Sequence, residues 1–250
     1  MAHNEIVLPR ASASEAKPSR AGSDGVKKPI RGTRYGEQIV VPAGKGRVQL
    51  ADEGSYFVAT NPTPGTGLAS IAAADGVDDE EALIYLRNEN SVGSGKRVYL
   101  DYLRVQTTVA GASGTNLRWV AQIDSGNDRH SSGGSTLTPV NTNMASTETS
   151  GVDIKAGAVV LDAESALVRL LGNGVLRTAI AVAGDQYLFD FGGAISLPTA
   201  RLQDDADTAN ILTSMPPVVL GPSDAFYFAL NGASQDTAAQ YEIELGFWVR

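Results

Sequence analysis

The chain has 250 residues, no cysteine, 27 glycines, 11 prolines, 42% hydrophobic residues and a formal net charge of −8. That length supports a sizeable core without staples, and the missing cysteines exclude disulfides, thiolate metal sites and cysteine nucleophiles. Breakers and apolar residues are abundant together, which suggests many short strands joined by turns.

The first 34 residues stand apart. They hold Arg10, Lys17, Arg20, Lys27, Lys28, Arg31 and Arg34 against Glu5, Glu15 and Asp24, a net +4, so residues 35–250 carry −12. Stretches such as Ala11-Ser12-Ala13-Ser14 bury almost nothing. A segment this polar does not offset its own ordering entropy, on the order of 1–2 kcal/mol per residue. The segment reads either as a solvated tail or as an arm that a partner surface orders. The charge asymmetry favours the arm, with its seven cations as docking groups. No signal-type apolar core follows Met1, and no stretch reaches the roughly 18 apolar residues of a membrane span. The expected organisation is an extended basic arm over residues 1–34 and a β-sandwich domain over 35–250, with no membrane partner.

Strand candidates follow in chain order. Gln38–Pro42, Val48–Leu50 and Ser55–Thr60 come first, then a breaker-rich loop at Asn61–Gly67. Ala82–Arg87 reads as a buried strand, and Arg97–Val109 is the longest run, rich in β-branched and aromatic residues. In Leu117–Asp124 the residues Leu117, Trp119, Ala121 and Ile123 share one face. Ser125–Ser135 reads as an exposed loop tip. Leu137–Asn143, Ala158–Leu161, Val175–Val182, Gln186–Phe191, Pro217–Leu220 and Ala225–Leu230 are further strands. Ala163–Leu171 fits a short helix or a strand equally. The closing run alternates strictly, with Tyr241, Ile243, Leu245, Phe247 and Val249 on one side and Glu242, Glu244, Gly246, Trp248 and Arg250 on the other. Such alternation marks a half-buried antiparallel strand. Roughly ten strands without a fixed repeat argue for an all-β, jelly-roll-like antiparallel sandwich over propellers and solenoids.

The chemistry-bearing residues form no recognised motif. Gly93-Ser94-Gly95-Lys96 lacks the upstream glycine and the following hydroxyl of a phosphate loop and precedes a strand, so it reads as a hairpin turn. Asp78-Asp79-Glu80-Glu81 and the cluster Asp204, Asp205 and Asp207 lack the calcium-loop pattern and read as solvated acidic surface. His3 and His130 have no spaced partner for zinc, and His130 with Asp128, Ser131 and Ser132 is no oriented triad. Trp119 and Trp248 read as packing residues rather than a sugar-binding face. Trp248 lies opposite the apolar stripe and is a candidate for a subunit interface. No catalytic, cofactor-binding or metal residues are assigned, and neither an enzymatic role nor a small-molecule substrate is expected.

Three segments carry a resemblance: Tyr99-Leu100-Asp101-Tyr102-Leu103, the loop Ser131–Asn141 and the run Tyr241–Trp248. Together they resemble virion structural proteins of tailed bacteriophages, and more narrowly capsid decoration (cement) proteins, over about residues 55–250. The resemblance implies a jelly-roll-like sandwich bound outside the major capsid protein shell, often as a homotrimer, on the virion surface after synthesis in the host cytoplasm. It carries no catalytic residues. The competing expectations are a head-fibre or tail-associated carbohydrate-binding module, and a polysaccharide-cleaving enzyme. Nucleic acid ranks low as a partner because the −12 body repels phosphate.

Overall fold

A computed structural model of the chain describes residues 46–70, 80–126, 128–163, 168–192, 199–205, 208–233 and 236–250. All lie in the unit Lys45–Arg250. The seven arm cations, His3, Asp78, Asp79, Asp207 and the strand expected at Gln38–Pro42 lie outside the described residues.

Among the described residues there is one short helix, α1 (Arg47–Asp52), and fifteen strands. They are β1 (Tyr56–Thr60), β2 (Leu68–Ala69), β3 (Glu81–Asn88), β4 (Val98–Val109), β5 (Thr115–Asp124), β6 (His130–Thr136), β7 (Val140–Asn141), β8 (Val152–Leu161), β9 (Arg169–Arg177), β10 (Gln186–Phe191), β11 (Thr199–Asp205), β12 (Thr208–Met215), β13 (Val219–Leu220), β14 (Ala225–Ala233) and β15 (Gln240–Val249). No described helix is long and apolar enough to cross a membrane.

The strands form two sheets. Nine build one, in the order β11-β12-β10-β4-β15-β1-β7, with β13 also on β4 and β2 also on β15; the other runs β6-β8-β3-β14-β5-β9. The alternation of β15 and its neighbours explains the layering. Tyr241, Ile243, Leu245 and Phe247 are buried, as are Leu103 and Val105 of β4, and they meet Phe226, Phe228 and Leu230 of the six-stranded sheet in one core. Aromatic rings lock the two sheets together. Phe189 meets Phe228 edge-on at 4.8 Å between centroids, Phe191 meets Phe226 at 5.5 Å, and Trp119 packs on Phe189 at 5.4 Å. Edge-to-face pairs of this kind add about 0.5–1.5 kcal/mol each beyond the area they bury. The molecule is a β-sandwich, and Trp119 belongs to its core.

The structure departs from the sequence reading in several places. Val48–Leu50 lies in α1, a single helical turn that seats the buried Leu50 beneath it; three residues are too few to show either period. His130–Thr136 is a strand paired with β8, not a loop tip. Its glycines conceal it: a Cβ on Gly133 would stand 2.2 Å from the Ala158 carbonyl oxygen, so the close approach requires glycine. Gly93-Ser94-Gly95-Lys96 is a turn, but β3 and β4 belong to different sheets, so it joins sheets and is no hairpin. Arg169–Leu171 opens β9, which decides the ambiguous segment for strand over those residues.

One pair also breaks the antiparallel expectation. β10 and β12 run parallel, from Gln186 beside Asn210 to Phe191 beside Met215. A parallel pair needs a crossover of a dozen or more residues. Here β11 occupies that crossover and returns antiparallel as β12, which inserts between β11 and β10.

Candidate interaction face

The outward face of the nine-stranded sheet gathers the polar and aromatic side chains that alternate with the core. Its centre is Gly246. A Cβ there would lie 2.3 Å from Tyr102 Cε1 and 2.7 Å from the Tyr56 hydroxyl, so the two rings lie across the glycine. Each ring is tied to a carboxylate. The Tyr56 hydroxyl donates to Asp101 Oδ2 and the Tyr102 hydroxyl to Glu244 Oε1, both at 2.5 Å. A register shift in the β4–β15 pairing between Gly246 and Phe247 breaks the regular alternation and brings Asp101 and Tyr102 to the same surface.

Two arginines complete the network. Arg47 of α1 donates from Nε to Asp101 Oδ2 at 2.5 Å and from Nη2 to Asp101 Oδ1 at 3.1 Å. Its guanidinium carbon also stands 5.5 Å from the Tyr102 ring centre. Arg104 Nη2 donates to Glu244 Oε2 at 2.5 Å. The carboxylate Asp101 raises the Arg47 pKa above its ordinary value. Burial, reinforced by the bonds to Asp101 and Glu244, pushes Tyr56 and Tyr102 well above the usual tyrosine range. Asp190 of β10 faces the same surface, and burial together with the nearby Asp101 charge raises its pKa. These rings therefore stay neutral donors at physiological pH and hold their carboxylates in place.

Beside this network Tyr99 and Trp248 stack nearly parallel, 5.4 Å apart at 2°. Trp248 is half-buried, so its outward side faces solvent in the single chain. A shallow groove of about 280 Å³ adjoins, lined by residues including Thr60, Arg104, Gln106, Glu242 and Glu244. Its rim is the breaker-rich loop at residues 61–67. Asn61 anchors that loop, donating to the Thr66 carbonyl at 2.9 Å and accepting from Ile243 N at 2.9 Å. Gly65 N donates to Glu242 Oε1.

The structure separates the other singled-out residues. His130 Nε2 donates to the Gly133 carbonyl at 3.1 Å, and Asp128 accepts from His130 N and from Arg87. Among the described residues, the imidazole is engaged by the Gly133 carbonyl rather than by Asp128, Ser131 or Ser132. Among the described residues no group of three or more His, Cys, Asp or Glu is placed to hold a metal ion.

Sequence reasoning missed a densely hydrogen-bonded acid, Asp185. It is fully buried and accepts from Arg177 Nη1 at 2.5 and 2.7 Å, Val182 N at 2.8 Å, the Tyr187 hydroxyl at 2.8 Å and Ala209 N at 2.7 Å. A lone aspartate after a glycine carries no motif, so only the fold reveals it. Its partners span β9, β10, β12 and the 178–185 loop, which makes it a structural fastener.

Compared with family models, curated proteins and solved structures, the chain matches none.

Proposed function

We propose that this chain is a structural virion protein: a capsid decoration, or cement, protein that binds and stabilises the shell built by the major capsid protein of a tailed bacteriophage. In this reading the body is a jelly-roll-like sandwich on the virion surface, assembled as a homotrimer, and the arm of residues 1–34 docks on the shell. The chain acts by contact and has no catalytic role.

The observation that supports the reading is the locked outward face of the nine-stranded sheet. Tyr56, Asp101, Arg47, Tyr102, Glu244 and Arg104 brace one another through side-chain hydrogen bonds and ion pairs. A face already fixed in one geometry loses little side-chain entropy when a partner covers it. A clamp on a pressurised shell needs such a rigid platform. It also needs a segment that reaches a neighbouring subunit, and the +4 arm can pair with acidic loops there. An arm ordered only on binding wraps a large surface.

Removal of residues 1–34 tests the arm. The full chain is expected to co-sediment with capsids stripped of it, and the truncated chain to lose that binding while keeping its circular dichroism and melting temperature. Undiminished binding by the truncated chain contradicts the arm mechanism, and failure of the full chain to bind contradicts the capsid reading itself. The groove lined by Thr60, Gln106 and Glu242 favours a second reading, a head-fibre or tail-associated carbohydrate-binding module. Specific hits on a glycan array would support that alternative.

A further inference from the structure

Among the described residues, the main strand orders of the two sheets end at β11 and β7 on one and at β6 and β9 on the other. An outermost strand presents a row of unpaired backbone N–H and C=O groups, and proteins blunt such edges with charge or brevity. β7 has 2 residues. β11 contains Arg201, Asp204 and Asp205. β6 is built of serine, glycine, threonine and one histidine, with no large aliphatic residue.

β9 lacks these devices. It reads Arg-Leu-Leu-Gly-Asn-Gly-Val-Leu-Arg, charged only at its two ends. Leu170 is 58% exposed and Val175 52%. Both lie in register with the outward residues of β5, Leu170 beside Gln122 and Val175 beside Arg118. Its glycines Gly172 and Gly174 instead receive the Trp119 ring on the core side. Register shifts bend its pairing with β5, its only described sheet neighbour.

The strand also reads nearly the same in both directions about Asn173. Arginine answers arginine at the ends, leucine and valine answer leucine, and Gly172 answers Gly174. A two-fold contact requires a surface complementary to itself. In an antiparallel pair of two such strands, apolar residues stand near apolar ones and glycine near glycine. The arginines alone bring like charges near, and Arg177 is already neutralised by Asp185 at 2.5 Å.

We propose that β9 pairs with β9 of a second copy, antiparallel across a two-fold axis near Asn173, joining the six-stranded sheets edge to edge. The contact stands independently of the capsid reading, and it would link trimers formed through another surface pairwise.

The chain has no native cysteine, so a single introduced thiol reports one position. Asn173 is exposed on β9, and opposed residues of an antiparallel pair lie about 4.5–5.5 Å apart at Cα, within disulfide range. Under mild oxidation the full-length Asn173→Cys chain is expected to run as a covalent dimer on a non-reducing gel. The Met144→Cys chain, altered at a fully exposed residue, is expected to stay monomeric. Adding Leu170→Glu and Val175→Glu to Asn173→Cys is expected to abolish the dimer band, because four carboxylates then crowd the shared edge. Cross-linking of Asn173→Cys no faster than Met144→Cys, or a dimer band that survives the glutamates, overturns the proposal.

Discussion

At the scale of single residues, Asp185 and Gly246 have opposite roles. Asp185 is buried in the core of one end of the sandwich, where a bare carboxylate costs several kcal/mol unless paired and hydrogen-bonded. Arg177 supplies the countercharge, and the two backbone amides with the Tyr187 hydroxyl supply the rest. Removing it leaves those donors, and the Arg177 charge, facing a hole. Asp185→Ala is expected to cost about 3 kcal/mol or more. In a chain of this size that lowers the melting temperature by roughly 6–12 °C, at about 2–4 °C per kcal/mol, with the urea midpoint falling in parallel. A change within a degree or two would mean that water replaces the carboxylate without penalty. Gly246 contributes by absence: the space where a Cβ would stand is filled by the Tyr102 ring and the Tyr56 hydroxyl.

At the scale of strands and sheets, five tyrosines carry the pH response. Tyr56 and Tyr102 on the outward face and the buried Tyr85, Tyr187 and Tyr241 are all held above the ordinary value, burial being the largest cause in each. In the unfolded chain they ionise near pH 10, while in the folded chain they keep their protons. Between those limits the folded state binds more protons than the unfolded one, so stability falls as pH rises. Urea midpoints are expected to stay level from pH 8 to about 9.5 and to fall steeply beyond pH 10. Phenolate absorbance from these five rings is expected to appear only with unfolding. A midpoint that holds steady through pH 11 would contradict the burial of these hydroxyls.

Long, regularly alternating strands were legible in the sequence. β15 shows this best, because its core-facing residues Tyr241, Ile243, Leu245, Phe247 and Val249 are all large and apolar while Glu242 and Glu244 alternate with them, a contrast no helix reproduces. β4, β5 and β10 alternate in much the same way, whereas β14 was legible as a continuous apolar run, buried from Ala225 to Leu230. β12 escaped notice because its buried row is Ala209, Ile211, Thr213 and Met215, in which a small and a polar residue weaken the contrast. β6 escaped because its Ser-Gly composition copies a loop while its backbone ladder makes the strand. The parallel pairing of β10 with β12 was beyond reach, since pairing direction depends on strands distant in the chain. Of the outward face, the row Glu242, Glu244, Gly246 and Trp248 opposite the stripe was readable, but not the network built on it. The meeting of Arg47, Tyr56, Asp101 and Tyr102 joins three elements, and local spacing does not encode such a meeting.

At the scale of the whole molecule, the division of charge dominates. A body of −12 and an arm of +4 suit a protein that stays dispersed while free and reaches for acidic surfaces through one flank. In the proposed capsid reading, several weakly binding arms joined in one oligomer would hold a shell firmly, because each bound arm raises the effective concentration of the next. Edge pairing through β9 would add a second way for copies to reinforce one another across the shell. Image reconstruction of phage particles assembled with this protein puts the capsid reading to its sharpest test. The capsid reading predicts two-sheet densities of sandwich size outside the major capsid protein, repeated on local symmetry axes, each with an extended strand of density crossing to a neighbouring subunit. A bare shell with the sandwich density at the tail or on a fibre would contradict it.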